Sequence, residues 1–188
     1  MEQKFYDAVR QNPVIAAVKN NEGLEECLKH EEIKVVFILY GDICNIPRIV
    51  DKIVSAGKIA MVHVDLIGGL SAKEIAVDYI HRNTKADGII STRKNLIQRA
   101  KELHMYTVFR IFVIDSMALA ETRNVSDIRP DFLEILPGVM PDIIRDIRCM
   151  TNVPLLTGGL IRKKQDVINA LQAGAMAISA TNEKVWDM

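Results

Sequence analysis

The 188-residue sequence predicts an α/β fold of one kind, a small single-domain (β/α)8 barrel of the TIM type spanning residues 1–188. Three observations carry that expectation. Eight short apolar runs recur roughly every 20 to 28 residues, about the least that a strand, a loop and a crossover helix need. Helical patterns with capping residues lie between them. Polar residues gather at the C-terminal ends of the runs, the end at which parallel barrels hold ligands. The rival, an open doubly wound sheet, needs only about five or six strands.

In chain order the runs are Val14 to Val18, Val35 to Tyr40, Ile59 to Leu66, Gly88 to Thr92, Thr107 to Phe112, Phe132 to Leu136, Pro154 to Thr157 and Ala177 to Ala180. Each is short enough to be a buried parallel strand. After the first, Asn21 can cap a helix over Glu22 to His30, whose Leu24, Cys27 and Leu28 share one face. Ser71-Ala-Lys-Glu74 has the pattern of a capping box opening a helix over Ala72 to Asn83. Asp115-Ser116 can cap Met117 to Arg123, and Pro141 suits the start of a helix running to Met150. Gly174 suits the C′ position after a helix over Lys163 to Ala173, and Thr181-Asn182 can open a terminal helical turn.

Composition narrows the function classes. Lys plus Arg and Asp plus Glu both number 24, so the formal net charge is zero. Contact with nucleic acid therefore needs a local basic patch, or a homo-oligomer that builds one. The chain is 49% hydrophobic but only 5% aromatic, which makes the core one of aliphatic side chains and Met. Cys27, Cys44 and Cys149 are odd in number and widely spaced, with neither a CxxC pair nor a neighbouring His, so no metal site is expected and a reducing, cytoplasmic location is. The first residues carry acids and no apolar core of signal-peptide length, and no run is long enough to span a bilayer.

Alternation along the strands sorts side chains between barrel interior and outer helices. In Met61-Val-His-Val-Asp-Leu66 the Val62, Val64 and Leu66 face should meet the helices, leaving Met61, His63 and Asp65 to point inward. The same test puts Lys19, Ser91, Arg110, Glu134, Thr157, Ser179 and Thr181 inward. Arg110 and Glu134 on successive strands fit either a structural ion pair or ligand contact. His63 alone reads best as a hydrogen-bonded core residue. Lys19, an amine at the mouth of an apolar strand, calls for an anion. Asp65 and Glu134 are candidates for a ligand's hydroxyl end, with Lys19 and Arg110 balancing charge.

Pro154-Leu-Leu-Thr-Gly-Gly-Leu160 and Ala177-Ile-Ser-Ala-Thr181 read as the last two strands, where such barrels hold phosphate. Gly158 and Gly159 remove two Cβ atoms and let bare backbone approach an anion. Ser179 and Thr181 add hydroxyls. Arg162-Lys163-Lys164 is either a solvated first helical turn or added positive charge over that site.

On these blocks the chain resembles the glycerol uptake operon antiterminators, bacterial regulators responsive to glycerol 3-phosphate. The resemblance rests on Pro13-Val-Ile-Ala-Ala-Val-Lys-Asn20, Met61-Val-His-Val-Asp-Leu-Ile67, Gly88-Ile-Ile-Ser-Thr-Arg93, Arg110-Ile-Phe-Val-Ile-Asp115, Pro130 to Pro141, Thr157-Gly-Gly-Leu-Ile-Arg162 and the ending from Ala173 to Trp186. Departures are Lys19 where Arg is also familiar, Thr157 where Ala is expected, and Leu39-Tyr-Gly-Asp42 in the second strand. What the resemblance implies is a non-enzymatic barrel without a cofactor that binds glycerol 3-phosphate as effector and then leader mRNA. Arg93-Lys94, Arg162-Lys163-Lys164 and Lys184 are the candidates for a basic RNA-binding rim. Because the same barrel hosts isomerases, aldolases and synthases, an enzyme acting on a small phosphorylated metabolite is the alternative.

Overall fold

The computed structural model describes residues 2–188. After helix α1 (Glu2–Gln11) the strands are β1 (Val14–Val18), β2 (Val35–Ile38), β3 (Ile59–His63), β4 (Gly88–Ser91), β5 (Tyr106–Phe112), β6 (Phe132–Leu136), β7 (Leu155–Gly158) and β8 (Ala177–Ala180). They pair in parallel in that order and close with β8 on β1, so the sheet is a barrel and the open-sheet alternative is ruled out. The connecting helices include α2 (Asn21–Lys29), α3 (Ile46–Ser55), α4 (Ile75–Asn83), α5 (Lys94–Glu102), α6 (Ser116–Glu121) and α7 (Val125–Ile128). After β6 come α8 (Pro141–Met150), α9 (Lys164–Gln172) and α10 (Glu183–Trp186).

Alternation along each strand divides the core in two. Ile15, Phe37, Met61, Val108, Phe132 and Leu156 pack inside the barrel, while Ala16, Val36, Val62, Phe109, Leu133 and Leu155 meet the helices. Amphipathic α1 closes the floor. Its buried Phe5 stands with ring centroids 4.5 Å from Phe132 and 5.5 Å from Tyr106, in tilted and edge-on contact respectively. Burying one such ring contributes about 1.5–3 kcal/mol. The helix was not anticipated, because its only signal is the spacing of Phe5, Ala8 and Val9 over ten polar-rich residues.

Several boundaries differ from the sequence expectation for local reasons. Asn20, not Asn21, caps α2, its side-chain oxygen accepting from the Gly23 amide at 2.8 Å. No capping box forms at Ser71: the Ser71 hydroxyl accepts only from the Lys73 amide at 3.4 Å and α4 begins at Ile75. Strand β3 ends at His63, and Val64–Leu66 turn into 3-10 helix, which breaks the period of two and leaves Leu66 exposed instead of against the helices.

Candidate functional site

Three strands bring one buried polar group together at the C-terminal end of the barrel. The β5–β6 register sets Arg110 opposite Glu134, and the Arg110 Nε donates to Glu134 Oε2 at 2.6 Å. From β8 the Ser179 hydroxyl donates to Glu134 Oε1 at 2.6 Å. Arg110 is 6% exposed and Glu134 0%, a depth at which a carboxylate needs a paired cation and full hydrogen bonding. Each Glu134 oxygen thus accepts one hydrogen bond, and of the two roles the sequence left open for the Arg110–Glu134 pair the ion pair is formed. The terminal nitrogens of Arg110 donate to no group among the described residues. Arg110 lines a cavity of about 110 Å³ at the mouth, together with Leu39, Gly159, Leu160, Ser179 and Thr181.

The glycine pair does two separate things. A Cβ on Gly158 would stand 2.3 Å from Ser179 Oγ and 2.8 Å from Glu134 Oε1, so this strand position must be bare for the Ser179–Glu134 bond to exist. Gly158→Ala should cost about 1–3 kcal/mol by forcing that bond apart; a urea midpoint equal to wild type would contradict the packing. Gly159 has φ +75°, the left-handed region in which a side chain is strained. Leu160 follows at φ 62° and projects into solvent.

Backbone donors beside the pair differ in availability. The amides of Arg162 and Lys163 donate to Asp166 Oδ2 at 2.9 and 3.0 Å, so the entry to α9 is closed by its own carboxylate. Those amides also hold the Asp166 carboxyl below its usual range. The amides of Gly159, Leu160 and Thr181 have no acceptor among the described residues. An anion in the cavity would meet the end of Arg110, these amides and the Thr181 hydroxyl.

Other expected inward residues lie elsewhere. In β4 it is Ile90 that joins the barrel interior and Ile89 the outer core, so Ser91 faces outward. Its hydroxyl donates to Asp65, which also accepts from the Thr92 amide at 2.8 Å and lies 3.5 Å from Arg93 Nε. Asp65, displaced from its predicted inward course by the 3-10 turn, ties the β3–α4 loop to the β4–α5 loop and is not in the cavity lining. Thr157 shares the outward parity of Leu155, and its buried hydroxyl has no partner among the described residues. Strand β7 begins at Leu155, and Leu156 is its interior residue, which shifts the parity by one.

His63 does point inward and is buried, but its Nδ1 has no hydrogen bond and lies 3.8 Å from Asp65 Oδ2. Burial pushes its pKa down to about 4, the Arg110 charge pushes the same way, and Asp65 opposes them. The imidazole is therefore neutral near pH 7. Ser179 and Thr181 stand where parity put them, beside Gly159 in the cavity wall. Lys19 is exposed at the mouth with no ion-pair partner among the described residues.

With this geometry in view, residues 14–186 match the family model described as "Glycerol-3-phosphate responsive antiterminator". The chain belongs to that family. It is 41% identical over 181 residues to the Escherichia coli K12 protein YgcP, itself described as uncharacterized, covering 96% of this chain and 94% of that one. Among solved structures it is similar to a glycerol uptake operon antiterminator regulatory protein from Listeria monocytogenes, with a TM-score of 0.90, 29% identity and coverage of 94% and 95% of the two chains. A glycerol uptake operon antiterminator-related protein from Thermotoga maritima follows at a TM-score of 0.82 and 27% identity, covering 93% of this chain and 98% of that one.

In this antiterminator-family barrel the expected basic rim is divided. Arg93 is held near Asp65, and Lys94, in the first turn of α5, is 3.7 Å from Glu121. Arg162, Lys163 and Lys164 are exposed and make no salt bridge among the described residues, with Asp166 close enough to feel the charges of the first two. The cavity's apolar wall adds Leu39, Leu136, Leu160 and Ile161 to the inward-facing Ala17, and these four were not singled out by the sequence. Alternation two positions on from inward-facing Glu134 accounts for Leu136, which stands in the same wall.

Proposed function

We propose that this protein is a glycerol-3-phosphate-responsive, RNA-binding transcription antiterminator controlling genes of glycerol uptake and metabolism, and that it senses its effector without catalysis. The observation that supports this most is the cavity where uncommitted Arg110 nitrogens meet glycine backbone and the Thr181 hydroxyl, in a chain of the antiterminator family. In this reading Gly159, Thr181 and Arg110 make the phosphate end of the site, Gly158 and Ser179 hold Glu134 and through it Arg110 in place, and Lys19 adds charge at the mouth. His63 faces the interior with a buried Nδ1 that has no hydrogen-bond partner among the described residues. The partner is leader mRNA, as the family description and the similar Listeria protein suggest, and the setting is the cytoplasm.

The acids that a triose-phosphate enzyme would use as bases are committed: Glu134 to Arg110 and Ser179, Asp65 to Ser91 and Thr92. His63, with its pKa near 4, is a weak base at neutral pH. Glycerol 3-phosphate at about 100 times its dissociation constant should stabilise the fold by roughly 2.7 kcal/mol, and glycerol should do little. Gly159→Val, strained by its φ and obstructing the amides, should remove that shift. Thermal melts that move equally with glycerol and its phosphate, or steady turnover of a triose phosphate, would overturn the reading.

A further inference from the structure

Exposed large apolar side chains on this barrel are concentrated at the mouth. Phe112 at the end of β5, Ile114 on the β5–α6 loop, Met117 at the start of α6, Val139 on the β6–α8 loop and Leu160 on the β7–α9 loop stand out, with Ile114 81% and Met117 79% exposed, while Ile43, Leu66 and Ile75 form a separate group after β2 and β3. Because β5, β6 and β7 are neighbours in the closed sheet, these residues stand on adjacent loops in an apolar arc round the mouth. The arc continues without a gap into a cationic one. Arg162, Lys163 and Lys164 at the entry to α9, Lys184 after β8 and Lys19 after β1 are exposed and form no salt bridge among the described residues, although Asp166 lies within reach of the Arg162 and Lys163 charges. The acids interspersed with them are fewer than the cations: Asp166, ionised and bonded to two backbone amides, Glu22 and Glu183.

We infer that this half-ring, apolar from β5 to β7 and cationic from β7 to β1, is the surface on which a single-stranded segment of RNA lies. Its unpaired bases rest on Phe112, Ile114, Met117 and Leu160, and its phosphates on Lys19, Lys184 and the Arg162–Lys164 run. The inference rests on the antiterminator reading and adds to it the location and the strandedness of the RNA. Bases present an apolar face to aromatic and aliphatic side chains while the backbone follows positive charge, which is the division the arc displays. A second copy of the chain fits less well, since the arc carries no block of free acids to face its five cations. Leu160 and Gly159 belong both to this arc and to the cavity wall, so an effector that fixes the β7–α9 loop also fixes the junction of the two halves.

The test is filter retention of the leader transcript of the glycerol operon of the same genome, at saturating glycerol 3-phosphate and several salt concentrations. Two variants are compared with wild type: Phe112→Ser/Ile114→Ser and Arg162→Gln/Lys163→Gln/Lys164→Gln, each first shown by melting to be folded. The apolar variant should bind about ten-fold or more weakly with its salt slope unchanged. The basic variant should lose about 2–3 from the slope of log affinity against log salt. If wild type retains no transcript, the antiterminator reading itself falls. If wild type retains it and both variants match wild type, RNA binds elsewhere and this surface is wrong. A changed sedimentation coefficient in the apolar variant with unchanged RNA affinity would make the arc a subunit interface and equally overturn the assignment.

Discussion

Arg110→Met is expected to destabilise the protein by about 3–5 kcal/mol and to abolish binding of glycerol 3-phosphate, because it strands a fully buried carboxylate and removes the cavity's cation. The double variant Arg110→Met/Glu134→Gln separates the two effects. With the charge on Glu134 gone, an amide that can still bond Ser179 remains, and most of the lost stability should return. Effector binding should not. Urea unfolding gives the first quantity and isothermal titration calorimetry the second. A double variant that regains affinity along with stability would show that Arg110 serves the barrel only, and that the phosphate site lies elsewhere.

The second large effect is on pH dependence. His63 has its pKa lowered to about 4 in the folded protein, against an ordinary value near 6.5 when the chain is unfolded. Above pH 6.5 both states carry a neutral imidazole and stability is full. Between 6.5 and 4 the unfolded chain takes up a proton that the buried ring refuses, so stability should fall by about 1.4 kcal/mol per pH unit, to a total of about 3 kcal/mol, and below pH 4 this contribution of His63 is spent. At pH 5 about 2 kcal/mol should already be gone. The depressed carboxyls Asp78 and Asp166 titrate below this window. His63→Gln should flatten the dependence between pH 7 and 5. An unaltered slope in that variant would mean that the ring is not held neutral.

The fold was legible because burying parallel strands on both faces leaves a mark in the sequence that is hard to hide: eight apolar runs, all of them strands in the structure. Helices were read where capping residues announced them, as at Asp115 and Pro141. They were missed where the only signal was an apolar stripe, as in α1 and α5, and in α3 despite Pro47 near its start. Inward direction was correct for Arg110, Glu134 and Ser179, whose strands kept a strict period of two. It was wrong for Ser91 and Thr157, short polar residues at strand ends, which a single step of register turns to the other face. Asp65 escaped because a 3-10 turn replaced the last three residues of the expected strand. No rule of alternation could show that Arg110 would spend one nitrogen on Glu134 and leave its other two facing the cavity, since that depends on three strands meeting in depth.

The floor sealed by Phe5 has a kinetic meaning. A vessel closed beneath has one door, so the effector enters and leaves by the same route. Whatever lies across that door retards escape as well as entry. RNA seated on the mouth would therefore lengthen the effector's residence time, and a stopped-flow chase of bound glycerol 3-phosphate should run slower with transcript present than without it. The protein would then hold its signal for as long as the message occupies the mouth, and fluctuations in metabolite level shorter than that interval would go unread.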